Sequence, residues 1–421
     1  MGMRGGAHGR LAPRWKRPPS RRRGLRALCR ASAGRRESAA SILFTCGGTG
    51  GHVYPAVAVA DRLRSLVPDL AIDFVGSRDR IEWDVVPKSG YAVRSVPCAP
   101  IHRPLSSWRN VRSVLVQFLG LLKALWLLAR KRPRAVVGTG GYVTVPTCCA
   151  AWLLRIPVFL HESNAYPGLA TRFLVNTLRC ASQVYLGFEE AKRHLRGDKL
   201  VVTGNPVRAG ILVKHQKADF GRGATGALAD VFNDGPSRDR DSFRICIMGG
   251  SLGAQKINEV LHDCVGGILT KFTKVSVIWQ TGQGYYDEVD QDCGVFPGRL
   301  AILPFLHDMP LVYSSCDLFV CRAGAITCSE LVAARKPSIL IPSPNVTDDH
   351  QTKNAAALEK AGWTVMLQEE DFTSRKLLDT LDGLLCDNGR ALKRMQVALQ
   401  DAGENRACND IAESLASSLK L

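Results

Sequence analysis

The sequence predicts an α/β protein made of two doubly wound, Rossmann-like domains that face a cleft. Short apolar strands alternate with helical segments, a strand and a glycine turn open each half, and 421 residues suit two or three domains. Near-continuous apolar strands are typical of a parallel sheet that is covered on both faces. Ligands of such sheets bind at the carboxyl ends of the strands, so the cleft is the expected site.

The strand pattern places the first domain at residues 41–213 and the second at residues 242–421. Apolar runs predict strands at residues 41–45, 71–76, 135–138 and 157–160 of the first domain and at residues 243–248, 275–279, 318–320 and 338–341 of the second. Residues 214–241 are polar with few periodic hydrophobic positions, which predicts an interdomain linker or a surface loop.

The N-terminal tail, residues 1–40, is strongly basic. Residues 1–36 contain eleven arginines, one lysine and no acidic residue, so they carry twelve of the eighteen net positive charges. The tail has no continuous apolar stretch of the kind that a secretory signal needs. This composition predicts an organelle transit peptide, and a disordered basic arm that stays attached is the alternative.

The remaining composition is that of a globular protein in a reducing compartment. Fourteen cysteines are scattered without the C-x-x-C pairs of zinc or redox sites. The tail alone would suggest a nucleic-acid-binding protein. No groove-reading or stacking motif accompanies its charge, so we predict no nucleic-acid partner.

Glycine-rich turns lie between strands and helices, where the backbone and the helix start can approach a ligand closely. The first is residues 47–51 (GGTGG) and the second is residues 249–253 (GGSLG). Residues 322–330 (RAGAITCSE) form a third turn of small residues that could accept a phosphate. A nicotinamide dehydrogenase, with Asp73 as its ribose-binding acid, would explain only the first turn. Two glycine turns favour a diphosphate-bearing donor or a polar acceptor that is held from both sides.

Polar side chains follow several predicted strands at the end that faces the cleft. His52 ends the first turn and is a candidate general base, because imidazole titrates near neutral pH. Asn164 suits hydrogen bonds to a sugar, while Glu162 and His161 would hold the local network. Glu330, one turn into a helix, could bind two ribose hydroxyls. A lone histidine is more often structural and a lone helix glutamate is more often a surface acid, but the neighbouring glycine turns favour function for His52 and Glu330.

A metal site is not expected. Metal-dependent sugar transferases usually carry an Asp-x-Asp motif after a strand. The two such pairs in this chain, at residues 239–241 and 290–292, lie in polar loop stretches. We therefore predict no metal.

Residues 101–132 combine apolar bulk with basic flanks and predict a helix that is buried over most of its length. The apolar run at residues 114–129 is shorter than the roughly 20 residues that a spanning helix needs, and it contains a lysine. An interfacial membrane patch is expected around it, formed by Ile101, Leu105, Trp108, Trp152, Arg103, Arg109, Arg112 and Arg132.

Several motifs, taken together, resemble the MurG family of peptidoglycan N-acetylglucosaminyltransferases. They are residues 47–56 (GGTGGHVYPA), 138–143 (GTGGYV), 161–164 (HESN) with 167–168 (PG), 204–208 (GNPVR), 249–253 (GGSLG) and 349–351 (DHQ). The resemblance covers roughly residues 41–415. It implies the GT-B fold of glycosyltransferases, with an acceptor domain followed by a donor domain. It also implies UDP-GlcNAc as donor, no cofactor, a lipid-linked acceptor (lipid I) and peripheral membrane association.

The resemblance also implies roles for particular residues. His52 and Glu162 would be catalytic, with His52 as the base and Arg208 stabilising the departing UDP. The implied UDP-GlcNAc contacts are Thr49, Gly50, Gly51, Asn164, Arg208, Ser251, Leu306, Ala325, Ile326, Thr327, Cys328, Ser329, Glu330 and Gln351. Ser163 and Leu252 stand where a glutamine is common in the family.

Two alternatives concern the acceptor and the compartment. A plastid glycolipid synthase that uses a UDP-sugar and diacylglycerol is the rival within the same superfamily, and the block at residues 49–55 disfavours it. A transit peptide on a peptidoglycan enzyme predicts a plastid (chloroplast), with the protein peripheral on an inner membrane. The mitochondrion is the less favoured destination.

Overall fold

The computed structural model describes residues 40–78, 80–101, 106–212, 242–250, 252–290 and 296–421. The predicted transit peptide up to residue 39 and the predicted linker at 214–241 lie outside the described residues. Ser251 of the predicted donor site, and Arg103 and Leu105 of the predicted membrane patch, also lie outside them. Ala40–Leu421 form one packed unit.

The first half of the chain forms one sheet of seven parallel strands with helices on both faces. Its strands are β1 Ser41–Cys46, β2 Ala71–Gly76, β3 Ala92–Ser95, β4 Ala135–Gly140, β5 Val158–Glu162, β6 Ala181–Leu186 and β7 Leu200–Val202. Its helices are α1 Gly50–Leu66, α2 Glu82–Lys88, α3 Arg109–Lys131, α4 Thr144–Leu153, α5 Leu169–Arg172 and α6 Ala209–Leu212, with a π-helical turn at Phe173–Thr177 and a 3₁₀ turn at Glu189–His194. The strand order is β3-β2-β1-β4-β5-β6-β7, a doubly wound arrangement.

The second half repeats this architecture with six parallel strands. They are β8 Phe243–Met248, β9 Val275–Gln280, β10 Leu300–Leu303, β11 Leu318–Cys321, β12 Ser338–Leu340 and β13 Thr364–Met366, in the order β10-β9-β8-β11-β12-β13. The helices are α7 Gln255–Lys271, α8 Tyr286–Asp290, α9 Met309–Ser315, α10 Ala325–Ala333, α11 His350–Lys360, α12 Ser374–Gln400 and α13 Ala407–Leu419, with 3₁₀ turns at Thr347–Asp349 and Glu369–Asp371.

The apolar strands predicted from the sequence are buried on both faces. In β1, Ile42 and Phe44 pack into one hydrophobic layer and Leu43 packs into the other. In β8, Ile247 and Cys246 divide between two layers in the same way. Alternate side chains of a strand point to opposite faces, so a sheet covered on both faces needs the continuous apolar run that the sequence shows.

The last helix corrects the predicted extent of the second domain, residues 242–421. Ile411 and Leu415 of α13 pack in the hydrophobic layer that contains Val59 and Leu63 of α1. The chain therefore returns to the first sheet at its end. Conversely, Ile211 of α6 belongs to the predicted first domain, residues 41–213, but packs against the second sheet.

Helix α3 corrects the prediction of a helix that is buried over most of its length. It is 23 residues long and, by length and composition alone, could cross a membrane. Its buried positions, such as Ala124 and Leu128, cover the first sheet. The opposite face carries exposed apolar side chains: Val111, Val114, Leu115, Phe118, Leu119, Leu122 and Trp126. These positions recur at helical spacing, so they form one continuous apolar stripe.

Candidate active site

His52 lies in the first turns of α1, directly after the first glycine cluster. Its Nδ1 atom is 3.2 Å from the carbonyl oxygen of Gly47 and 3.2 Å from Oγ1 of Thr49. A carbonyl oxygen only accepts, so the ring donates its Nδ1 proton to Gly47 and keeps Nε2 free to take a proton. A Cβ at Gly140 would lie 2.4 Å from Cδ2 of His52. The glycine that ends β4 therefore makes room for the ring.

Charged groups from both halves of the chain surround His52. Burial lowers the pKa of His52 from its ordinary value of 6.5. The carboxylate of Glu162 and the hydrogen bond to Gly47 oppose this and raise the pKa. His350 at the start of α11 lowers it, and the carboxylate of Glu82 raises it. Groups from both halves of the chain thus influence the pKa of the candidate base.

Glu162, the last residue of β5, forms hydrogen bonds to the loop that follows the strand. Its Oε1 accepts hydrogen bonds from the backbone N–H of Asn164 at 3.0 Å and from Nδ2 of Asn164 at 3.1 Å. Its Oε2 accepts from the backbone N–H of Gly168 at 3.1 Å. Three hydrogen-bond donors thus fix this buried carboxylate, whose charge raises the pKa of His52.

The neighbouring His161 is buried, and burial lowers its pKa to about 4. It is therefore neutral at neutral pH. Its Nδ1 lies 3.4 Å from Oγ of Ser163, which stands at one of the two positions where a glutamine is common in similar enzymes. A role for His161 in holding the local network stays a prediction.

Arg208 and Glu330, two predicted donor contacts, bind each other. Nε of Arg208 lies 2.8 Å from Oε1 of Glu330, and Nη2 lies 3.0 Å from Oε2. The hydroxyl of Tyr313 donates to Oε2 at 3.1 Å, and the Arg208 guanidinium lies over the ring of Tyr54, 5.0 Å from its centroid. Burial alone would lower the pKa of Arg208, but Glu330 raises it above its ordinary value.

The turn at the start of α10 carries the predicted donor contacts from Ala325 to Glu330. Gly324 caps the helix in an extended conformation, and Oγ of Ser329 donates to the carbonyl of Ala325 at 3.0 Å. Thr327 and Ser329 are half-buried, whereas Ala325, Ile326 and Cys328 are buried. Cys328 packs in the hydrophobic layer of the second sheet, so only its backbone is placed to meet a ligand.

The other predicted donor residues occupy varied environments. Thr49 is exposed, and Gly50 and Gly51 are half-buried at the start of α1. Leu306 is buried in the second domain, and Oε1 of Gln351 accepts from the backbone N–H of Ser343 at 2.9 Å. Leu252 of the second glycine turn is 85% exposed, so its side chain is open to a ligand or to water.

The structure adds three polar residues that sequence reasoning missed: Glu82, Tyr313 and Asn354. Oδ1 of Asn354, on α11, accepts from the backbone N–H of Ala165 at 3.0 Å, and its Nδ2 donates to the carbonyl of Ala323 at 3.2 Å. This buried amide ties the loop after β5 to the turn before α10. Its position three residues after Gln351 is the only local signal that could have suggested it.

The described residues contain no cluster of side chains of the kind that holds a metal ion. In that part of the chain, no three His, Cys, Asp or Glu side chains come together as a metal site would require. Of the two Asp-x-Asp pairs, Asp290 ends α8, whereas Asp239, Asp241 and Asp292 lie outside the described residues. A metal-free reaction stays a prediction.

Two parallel α/β domains, linked by the Arg208–Glu330 and Asn354–Ala165 contacts, have the GT-B architecture, and the family to which each domain belongs makes the protein a glycosyltransferase. Residues 42–183 match the N-terminal domain of glycosyltransferase family 28, and residues 244–411 match its C-terminal domain. The predicted fold class and the prediction of a glycosyltransferase are confirmed.

Relatives of this chain identify the family more closely. The UDP-N-acetylglucosamine–N-acetylmuramyl-(pentapeptide) pyrophosphoryl-undecaprenol N-acetylglucosamine transferase of Salinibacter ruber is 40% identical over 379 residues, which is 89% of this chain and 95% of that protein. The transferase of the same name from Bacillus cytotoxicus is 36% identical over 90% of this chain and 99% of its own length. The crystal structure of Acinetobacter baumannii MurG superposes with a TM-score of 0.66 at 25% identity, covering 90% of this chain and 99% of that one. The chain belongs to the MurG family, as the sequence predicts.

Proposed function

We propose that this protein transfers N-acetylglucosamine from UDP-GlcNAc to lipid I, undecaprenyl-pyrophosphoryl-MurNAc-pentapeptide, and so forms lipid II for peptidoglycan synthesis. The observation that carries the proposal is the match, across both domains, to transferases named for this reaction. A glycolipid synthase is not favoured, because those relatives cover nearly the whole chain from the first strand onward.

The residues around the cleft suggest an inverting single displacement. Nε2 of His52 accepts the proton of the acceptor hydroxyl while the acceptor oxygen bonds to C1 of the sugar. The bond from C1 to the UDP oxygen breaks, and its electron pair leaves with the diphosphate. Glu162 stabilises the imidazolium that forms, and Arg208 stabilises the leaving diphosphate. The reaction needs neither a metal nor another cofactor.

The testing experiment is transfer from labelled UDP-GlcNAc to a soluble lipid I analogue by the full chain. The expected product carries one added N-acetylglucosamine, and His52→Asn should lower kcat by about 10²- to 10⁴-fold, the usual contribution of a general base. UDP-galactose with diacylglycerol is the comparison substrate pair. Glycolipid formation without lipid II formation would refute the proposal and favour the rival.

We also propose peripheral membrane binding through the exposed stripe of α3, which would bring the active site to a lipid-linked acceptor. Seven large apolar side chains are exposed on one helix face, and such a continuous apolar patch marks a surface that binds a protein or a membrane. Arg109 and Arg112 at one end and the exposed Arg130 and Arg132 at the other suit anionic head groups. The opposite face of α3 covers the first sheet, which argues for lying on the membrane and not spanning it.

Finally, we propose that residues 1–40 direct the protein to a plastid, where it would act on an inner membrane; the mitochondrion is the less favoured destination. The arginine-rich, acid-free composition supports import, and the family domain begins only at residue 42.

A further inference from the structure

Glu82, the first residue of α2, joins the ends of two strands through a carboxylate that is 0% exposed. Its Oε1 accepts from the backbone N–H of Ser77 at 2.8 Å and from the Ser77 hydroxyl at 2.6 Å. Its Oε2 accepts from the backbone N–H of Gly48 at 3.1 Å. Ser77 follows β2 and Gly48 follows β1, so one buried charge connects both strand ends to the first glycine turn.

Two glycines make room for this carboxylate. A Cβ at Gly47 would lie 2.6 Å from Oε1 of Glu82, and a Cβ at Gly76 would lie 2.5 Å from its Cγ. Both distances are far below van der Waals contact, so any larger residue would displace the carboxylate. Gly47 of the first glycine turn and Gly76 at the end of β2 therefore leave the space that the Glu82 side chain occupies.

The same peptide group connects Glu82 to His52. The N–H of Gly48, which donates to Glu82, and the carbonyl of Gly47, which lies 3.2 Å from Nδ1 of His52, belong to one peptide bond. A peptide group is planar, so fixing the direction of its N–H fixes the direction of its carbonyl. Hydrogen bonds in such a chain also polarise one another, which strengthens the bond to the imidazole.

We propose that Glu82 is a positioning residue for the base: through the Gly47–Gly48 peptide, it fixes the orientation and the tautomer of His52. This inference rests on the proposed function, because it takes His52 as the base. The carboxylate does not contact the imidazole directly; it acts on it through the peptide group between them. A purely structural Glu82 would only hold β1, β2 and α2 together.

The first test is the tautomer itself, read by ¹⁵N NMR of the full chain with labelled histidine. In the natural protein, His52 should carry its proton on Nδ1. The glutamine of Glu82→Gln has one oxygen in place of two. If its NH2 group faces Gly48, the N–H of Gly48 has no acceptor; if its oxygen faces Gly48, the bonds to Ser77 are lost. In either case the Gly47–Gly48 peptide is held less firmly. The Nδ1–H signal should then weaken in favour of Nε2–H. An unchanged tautomer would overturn the proposal, whether or not the protein transfers sugar.

The second test is kinetic, and uses a double-mutant cycle. Glu82→Gln should lower kcat about tenfold, the scale of one lost charged hydrogen bond, while UDP affinity stays the same. In a His52→Ala background, the same change should cost nothing further, because the base it positions is gone. Additive losses in the two backgrounds would overturn the proposal. Asp317→Asn is the matched control: its carboxylate accepts from the backbone N–H of Arg244 at 2.8 Å in the second domain.

The pH dependence of kcat/KM is a third, independent test of the role of Glu82. Glu162, His350 and His161 also face His52 and are unchanged in Glu82→Gln. Loss of the Glu82 charge alone should therefore shift the acid limb of kcat/KM to lower pH. If Glu82→Gln does not fold, Ser77→Ala, which removes one donor and leaves the carboxylate charge, should weaken the Nδ1–H signal and lower kcat by smaller amounts. Changes in thermal stability alone, in both variants, would show a structural role and refute the proposal.

Discussion

Arg208 and Glu330 form a two-pronged ion pair between the segment after β7 and helix α10, with N···O distances of 2.8 and 3.0 Å. Tyr313 supplies a third donor to the same carboxylate. A carboxylate has about four acceptor positions, so little capacity remains for two ribose hydroxyls while Arg208 stays in place. If Glu330 binds both ribose hydroxyls, as the sequence predicts, Arg208 has to move, and the released guanidinium is then available for the diphosphate.

Glu330→Ala should weaken UDP binding by roughly 10- to 150-fold, because charge-assisted hydrogen bonds to the ribose contribute on the order of 1.5–3 kcal/mol. Isothermal titration with UDP measures the effect. Tyr313→Phe is the matched control, since it removes one hydrogen bond to the same carboxylate and leaves the charge. Equal UDP affinity in Glu330→Ala and the natural protein would remove Glu330 from the donor site.

The acid limb of the pH–rate profile should lie below pH 6.5, because burial lowers the pKa of His52 and the base must be neutral. The carboxylate of Glu162 raises that pKa. Glu162→Gln should therefore shift the limb to still lower pH, in addition to lowering kcat through the lost loop bonds. The measurement is kcat/KM against pH for both proteins. A shift to higher pH would contradict the assignment of His52 as the base.

The sequence predicts local features of the fold well and the pairing of distant side chains poorly. Strands and glycine turns can be recognised from a few consecutive residues. A strand covered on both faces needs a continuous apolar run, and a turn that approaches a ligand closely needs glycines. Arg208 and Glu330 are 122 positions apart, so no local pattern reveals that they pair. The return of α13 to the first sheet and the contacts of Glu82 are missed for the same reason. Helix α3 is apolar on both its buried and its exposed face, and the two faces have the same helical period. The sequence pattern alone therefore could not show which face packs on the sheet.

Activity should persist in excess EDTA. We propose that Arg208 and the start of α10 meet the charge of the leaving diphosphate, and the sequence places both Asp-x-Asp pairs in polar loop stretches. The assay is lipid II formation with and without chelator, at fixed ionic strength. Loss of turnover in EDTA that magnesium or manganese restores would show that the reaction needs a metal.

Replacing Phe118 and Trp126 of α3 by serine should weaken binding to anionic vesicles about 100-fold or more, since burying each such side chain contributes roughly 1.5–3 kcal/mol. Phe118 is 55% exposed and Trp126 is 62% exposed, so the change should leave the fold intact. Vesicle sedimentation measures binding, and turnover of a soluble acceptor analogue should stay unchanged. Val397→Ser is the control, because Val397 is 60% exposed on α12 of the second domain. Equal effects of the two changes would argue against α3 as the membrane surface.

The last prediction concerns the basic tail. A chain that starts at Ser38 should keep full activity on a soluble lipid I analogue, because the first strand begins at Ser41. A fluorescent protein fused behind residues 1–40 should enter plastids, since an arginine-rich, acid-free segment suits import. If the arm instead remains and binds anionic lipid, each basic residue would add about 1 kcal/mol of membrane affinity, and the shortened chain would leave membranes at low salt. N-terminal sequencing of the native protein separates the two. A mature start before about residue 15 would leave most of the arginines in place, and it would rule out a cleaved transit peptide.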